Sequence, residues 1–114
     1  MVRVIPTAEL GGRTGAARFE GHAHGAGVSF FVIRLPEGEG PVLHRHPYEE
    51  TFVILEGSAT FTVDGETLEA SADTIVVVPP GATHTFTTGR DGMRSVNIHP
   101  SARMVQENLP AQSS

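Results

Sequence analysis

Residues 38–57 read GEGPVLHRHPYEETFVILEG, and this stretch decides the fold of the chain. Its second half contains ETFVIL at Glu50–Leu55, a run of β-branched and aromatic residues that predicts a strand. In its first half His44 and His46 are two residues apart, so on a short strand both imidazoles leave the same face. Pro47 ends that strand or places it at a sheet edge. The stretch therefore predicts two strands with metal-binding side chains where they meet.

Short apolar runs separated by turn residues continue along the rest of the chain. The pair Asp64-Gly65 predicts a tight hairpin turn, because both residues tolerate positive φ. No amphipathic helix of ten or more residues occurs before position 100, and strands recur at a spacing of roughly 8–12 residues. This pattern predicts an all-β sandwich or barrel. The predicted strands are Val28–Leu35, Val42–His46, Glu50–Leu55, Ala59–Val63, Glu66–Glu69, Thr74–Val78, His84–Thr88 and Arg94–His99, the last two joined by a turn at Gly89–Gly92.

The two ends of the chain predict arms around a central barrel. In residues 1–27 we expect an arm with one or two short strands, Val2–Ile5 being one candidate, and a turn at Gly11–Gly15. After Pro100 breaks the sheet, Ala102–Leu109 is expected to form a short helix or an extended arm.

Composition narrows the class of protein. A chain of 114 residues corresponds to one domain, here residues 1–114. The formal charge is −5 and no cluster of basic residues occurs, which argues against nucleic acid as a partner. No apolar run approaches the length of a membrane span, and the N-terminus lacks the apolar core of a signal peptide. With no cysteine, neither disulfides nor thiolate ligands are available, and the cytoplasm is the expected compartment.

Several predicted strands are apolar on both faces, including FFVI, FVIL and IVVV. A barrel standing alone needs only one apolar face per strand. We therefore expect the outer face to be covered by a second copy, which predicts a homodimer. The alternative is that the terminal arms fold back over their own barrel.

Three histidines and one carboxylate are expected to converge on one point. His44, His46 and Glu50 lie close together in sequence, and His84 follows the chain reversal at Pro79-x-Gly81. Nitrogen and oxygen ligands of this kind suit one divalent transition metal per chain: Fe, Mn, Ni, Cu, Co or Zn. A shift of one residue would make Glu49 the carboxylate ligand, but the spacing to the next glycine favours Glu50. Glu49 is then an edge charge or a partner for an imidazole N–H.

The two stretches that hold these residues resemble the two sequence motifs of the cupin superfamily. GEGPVLHRHPYEETFVILEG fits the first motif in full. The second keeps the core from Pro79 to His84 but has Asp73 where the family has glycine and Thr88 where it has asparagine. The resemblance implies a small jelly-roll β-barrel over about residues 28–99. It also implies that His44, His46, Glu50 and His84 are the metal ligands, and that the protein is a dimer.

Strand phase predicts the walls of a cavity around the metal. Phe52 and Ile54 share the phase of Glu50, and Phe86 shares that of His84, so the cavity should be apolar. Tyr48 lies between ligands and is expected either at the mouth of the site or against an edge strand.

Four other residues lie outside this expected ligand set. His22 and His24 form a second His-x-His and are expected at an exposed strand end or loop. His99 is expected to be a packing residue at a strand end. Arg34 would pair with an anionic substrate if it points inward and would be a solvated or dimer-contact charge if it points outward.

These features predict a metal-dependent enzyme that acts on a small organic molecule. The resemblance favours a dioxygenase, with Glu50 as the candidate catalytic carboxylate as well as a ligand. Two alternatives remain: a redox-neutral isomerase, epimerase, cyclase or lyase that uses the metal as a Lewis acid, and a binding module without turnover. Because only neutral histidines bind metal, the metal should be lost below about pH 6.

Overall fold

The computed structural model describes residues 1–110, and the strands within them form one sheet that curls into a half-barrel. The predicted all-β jelly-roll class is therefore confirmed. Two short 3₁₀ turns, Thr7–Glu9 and Gly21–His24, are the helical elements of this part of the chain. The strands are β1 (Gly11–Arg13), β2 (Ala16–Phe19), β3 (Ser29–Leu35), β4 (His44–Arg45), β5 (Glu50–Val63), β6 (Glu66–Ser71), β7 (Thr74–Val78), β8 (His84–His99) and β9 (Glu107–Asn108).

The long strands β5 and β8 form the centre of the sheet. They pair antiparallel from Thr51 opposite Ile98 to Val63 opposite His84. Strand β5 also pairs with β6 and β7, and β8 also pairs with β3 and β4. The β5–β8 register shifts twice, next to Glu56 and next to Gly57, and such bulges bend a strand pair. The bend brings the first residues of both long strands to the same interior.

The glycines at 89–92 do not form the hairpin turn that we predicted. They lie inside β8, which continues through them, and β5 likewise continues through the predicted break after Leu55. A Cβ on Gly57 would lie 2.0 Å from the carbonyl oxygen of Gly92, and one on Gly92 would lie 2.3 Å from that of Leu35. Both glycines have positive φ. They therefore allow strands to approach closely and do not reverse the chain.

The Asp64-Gly65 hairpin is confirmed, with φ of 47° and 84° at the two turn residues. The N-terminal predictions were wrong in detail. Val2–Ile5 is not a strand, and Gly11–Gly15 contains β1 as well as the turn to β2. A three-residue strand rich in glycine lacks the side chains that would have identified it.

For the C-terminal segment we predicted a short helix or an extended arm, and the structure has the extended arm. It leaves β8 at Pro100 and returns over the mouth of the barrel, where β9 pairs with β4. The amide of Leu109 donates to the carbonyl of Leu43 at 2.8 Å, which holds the end of the arm. The arm is therefore part of the site's surroundings.

The inner face of the sheet forms the hydrophobic core, where Phe52, Ile54 and Phe61 are at most 1% exposed. Strand β7, whose run IVVV is apolar on both faces, exposes Ile75 (57%) and Val77 (61%) within this chain. It pairs only with β5, and its alternate residues face outward. No helix within residues 1–110 is long and apolar enough to cross a membrane.

Candidate metal centre

The four predicted ligands meet inside the barrel. One ligand atom from each of His44, His46, Glu50 and His84 lies within 4.8 Å of the others, and all four residues are buried. Nε2 of His46 and Nε2 of His84 each lie 3.0 Å from Oε1 of Glu50. Glu49 is not part of this cluster. The side chains therefore converge without rearrangement of the backbone.

Backbone carbonyls orient the three histidines of the cluster. A carbonyl only accepts hydrogen bonds, so the Nδ1 that faces it carries the proton, and in the neutral ring Nε2 then has a lone pair. All three Nε2 atoms are thereby prepared to bind a cation. The Nδ1 contacts are His44 to Val42 O at 2.7 Å, His46 to Val105 O at 2.8 Å, and His84 to Ala82 O at 2.9 Å.

The electrostatics of the cluster also favour a cation. Burial would raise the pKa of Glu50, but contacts with His46, His84 and His99 hold that pKa well below its usual value. Burial, with a smaller contribution from repulsion by His84, lowers the pKa of His44 to about 4 against the opposing hydrogen bond to Val42. At neutral pH the cluster therefore holds a carboxylate and a neutral imidazole. Because imidazole lone pairs face an ionised carboxylate, the donor set fits a divalent transition metal.

A cavity of about 280 Å³ opens beside the cluster. Phe52 and Phe86 line it as predicted, together with His44 and Glu50 of the cluster. Ile54 does not line it: this residue points to the same face but lies one pair further along β5, within the core. The remaining lining residues are Arg13, Ala16, Phe31, Ile33, Leu35, Gly40, Pro41, Val42, Asn97, His99, Gln106 and Asn108.

Tyr48 lies behind the cluster and not in the cavity wall. Its ring stacks on His46 at a centroid distance of 5.3 Å, and its hydroxyl contacts Nδ1 of His99 at 2.8 Å. The backbone N–H of Val105 donates to the same hydroxyl at 3.0 Å. Tyr48 thus joins the cluster to the C-terminal arm.

His99 is the site residue that the sequence reasoning missed. It is 1% exposed, lines the cavity, and places Nε2 at 3.2 Å from Oε2 of Glu50. The alternation of β8 could have found it, because Ser95, Asn97 and His99 are polar residues at successive inward positions.

The other histidines and Arg34 lie away from the cluster. His22 is exposed and accepts a hydrogen bond from Arg103 at 2.9 Å, and His24 stacks on Phe19 at 4.6 Å. Arg34 is exposed on β3, opposite Arg94, and does not line the cavity. It therefore points outward, the second of its two predicted orientations.

Residues 31–99 match the model of the cupin domain family, and the chain belongs to that family. No curated protein matches the sequence significantly.

Similar folds occur among solved structures. An uncharacterised double-stranded β-helix protein from Klebsiella pneumoniae has a TM-score of 0.75 at 17% identity, with 97% of this chain and all of that chain covered. Oxalate decarboxylase from Bacillus subtilis, an enzyme with Mn(II) centres, has a TM-score of 0.79 at 16% identity. That match covers 92% of this chain and 31% of the enzyme. An oxalate oxidase has a TM-score of 0.70 at 16% identity, with 87% and 59% covered. Identity at this level shows a shared fold.

Proposed function

We propose that this cupin binds one divalent transition metal through His44, His46, Glu50 and His84, and that it is a dioxygenase for a small organic molecule. The observation that supports the proposal is the buried convergence of these four side chains beside a cavity that His44 and Glu50 line. The buried cluster alone would not support the proposal, because buried histidines also occur in hydrogen-bonded cores. The cavity alone would not support it either, because cavities also occur in proteins without catalytic activity.

The cavity defines the substrate by size and polarity. Its volume of about 280 Å³ admits a molecule of modest size, and aromatic and aliphatic side chains form much of its wall. Polar groups are present at Asn97, Gln106 and Asn108, which can orient a substrate oxygen. A small, partly apolar molecule with one or two oxygen functions fits these walls.

Each ligand residue has a role that its contacts define. The carbonyl-bound histidines hold fixed orientations, and Glu50 supplies the negative charge. A bound divalent metal would supply Lewis acidity and, for Fe, Mn or Cu, access to oxygen chemistry. Glu50 is the one carboxylate among the described residues that line the cavity, which supports its candidacy as the catalytic carboxylate.

Elemental analysis of protein purified without added metal tests the first half of this proposal. We expect about one transition metal per chain, and His46→Ala should lower both the metal content and the melting temperature of the metal-loaded protein. His22→Ala removes an exposed histidine outside the cluster and is the matched control. Absence of bound metal under every loading condition would refute the proposal and leave a binding module.

Oxygen uptake with a panel of diketones and catechols tests the reaction class. Oxygen consumption that depends on the metal supports a dioxygenase. Bound metal without oxygen uptake would favour redox-neutral chemistry, in which the metal acts as a Lewis acid.

A further inference from the structure

The buried site contains two kinds of histidine, distinguished by the partner of Nδ1. In the three proposed ligands Nδ1 faces a backbone carbonyl, whereas in His99 it faces the hydroxyl of Tyr48 at 2.8 Å. A hydroxyl can donate as well as accept, so the tautomer of His99 depends on the direction of that hydrogen bond.

The other partners of the Tyr48 hydroxyl determine this direction. The backbone N–H of Val105 donates to the hydroxyl oxygen at 3.0 Å, and a backbone N–H can only donate. The tyrosine proton can go to Nδ1 of His99 at 2.8 Å or to the carbonyl of Val105 at 3.3 Å. That carbonyl already accepts from His46 at 2.8 Å. The shorter contact therefore makes Nδ1 of His99 an acceptor, and the neutral ring carries its proton on Nε2.

Nε2 of His99 faces the carboxylate of Glu50. It lies 3.2 Å from Oε2, and its side chain is 2% exposed. Among residues 1–110 this nitrogen makes no hydrogen bond in the geometry of this structure, although Oε2 lies within the distance of one. An Nε2 proton directed at Oε2 is the favourable arrangement for His99, because the proposed cation lies on the Oε1 side with His46 and His84 and not between His99 and Oε2. Oε1 of the same carboxylate contacts His46 and His84.

We propose that His99 is a positioning residue that donates its Nε2 proton to Oε2 of Glu50, so that Oε1 alone is presented to the metal. The proposal rests on the proposed metal-binding function. Tyr48 fixes the tautomer of His99, and the backbone of Val105 fixes Tyr48. A carboxylate held in this way would bind a metal through Oε1 only, with Oε2 kept by His99.

The tautomer can be measured without any substitution. Long-range ¹H–¹⁵N correlation spectra of chelator-treated, ¹⁵N-labelled protein near pH 7.5 distinguish a protonated from an unprotonated ring nitrogen. We expect His99 to be protonated at Nε2 only and His44 at Nδ1 only. A His99 ring protonated at Nδ1 only, or at both nitrogens, would overturn the proposal.

Substitutions test the consequence for metal binding. His99→Gln keeps an N–H donor near the position of Nε2, whereas His99→Leu removes it. Titration with Co²⁺, followed by absorbance, reports both affinity and coordination geometry. We expect His99→Leu to weaken Co²⁺ binding about 10- to 100-fold and to change the absorption bands, and His99→Gln to restore most of both. Tyr48→Phe should weaken binding less than His99→Leu.

His24→Leu is the matched control. His24 also has a buried Nδ1 without a partner among residues 1–110, but its ring stacks on Phe19 outside the cluster. This variant should bind Co²⁺ with the affinity and the spectrum of the unmodified protein. Equal loss of affinity in His24→Leu and His99→Leu would show a general effect on stability and contradict the proposal.

The outcomes separate this inference from the proposed function. If the unmodified protein binds no Co²⁺, the metal site itself is refuted. If it binds Co²⁺ and His99→Leu binds it with unchanged affinity and spectrum, the metal site stands and the role of His99 is refuted. Thermal melts identify any variant that fails to fold. If His99→Leu fails to fold, the measurement of the His99 tautomer in the unmodified protein tests the proposal.

Discussion

His44 gives the protein a specific dependence of stability on pH. Its pKa is about 4 in the folded chain, because of burial, and the ordinary value of 6.5 applies when the chain is unfolded. Above pH 6.5 both states are neutral at this residue. As the pH falls from 6.5 towards 4, the unfolded chain takes up a proton that the folded chain refuses. The free energy of unfolding therefore falls between pH 6.5 and pH 4, by about 1.4 kcal/mol per pH unit in the middle of this range.

Urea unfolding of chelator-treated protein at several pH values between 7.5 and 5 measures this loss. The interval lies above the ordinary pKa of Glu50, whose lowered pKa contributes stability that is lost only at still lower pH. His44→Gln removes the titrating group, so its free energy of unfolding should fall less steeply with acid. Parallel curves for the two proteins would show that His44 is not the group responsible.

At the residue level, the four proposed ligands could be found from the sequence because their spacing follows from strand period and turn chemistry. Strand alternation could have placed His99 on the inner face of β8, but it could not identify the role of that residue. Its role depends on Glu50 at the start of β5, which lies 49 positions earlier in the sequence. It also depends on Tyr48, which contacts the C-terminal arm. Strand phase also placed Ile54 in the cavity wall, because alternation gives the face of a residue but not its height in the barrel.

Among the secondary-structure elements, the C-terminal arm has the clearest consequence for the site. The carbonyl of Val105 fixes the ring of His46, and Gln106 and Asn108 line the cavity. We predict that ending the chain after Ser101 weakens metal binding about 10- to 100-fold, since His46 loses its orienting acceptor. Co²⁺ titration of the shortened chain, with circular dichroism to confirm folding, checks this expectation.

The matched control for the arm is Glu107→Ala. It removes the exposed ion pair with Arg45, whose Nη2 lies 2.9 Å from Oε2 of Glu107, but keeps the backbone of the arm. Such pairs contribute at most about 1 kcal/mol, so metal affinity should change little. A shortened chain that folds and binds Co²⁺ like the full chain would show that the arm does not orient His46.

The sequence predicted most of the strands, but it did not predict that β5 and β8 are each continuous through a segment that looked like a turn. The segment Gly89–Gly92, which reads GRDG, has the composition of a turn, and the close approach of Gly92 to Gly57 and Leu35 explains why it is strand. Local sequence carries propensity, whereas contact between distant backbones is a property of the folded chain. The glycine-rich β1 was missed for the same reason.

On the scale of the whole molecule, the outer face of the sheet remains uncovered. Ile75 and Val77 are more than half exposed, and Val53 and Val96 extend the apolar row across β5 and β8. The arms within residues 1–110 leave Ile75 and Val77 open, which does not favour the alternative in which the arms cover the barrel. We propose that a second copy packs on this face, because two identical apolar sheet faces bury each other's exposed side chains in a two-fold dimer.

Sedimentation equilibrium over a range of micromolar concentrations tests the dimer. The unmodified chain should have twice the chain mass, and the double variant Ile75→Glu and Val77→Glu should be a monomer, because two carboxylates per copy would meet across the interface. Val105→Glu is the matched control: Val105 is also about half exposed, at 50%, but lies in the C-terminal arm. A monomeric unmodified chain, or a double variant that remains dimeric, would exclude this face as the interface. Retention of Co²⁺ binding by the monomeric variant would further show that the metal centre is complete within one copy, as the four ligands from a single chain imply.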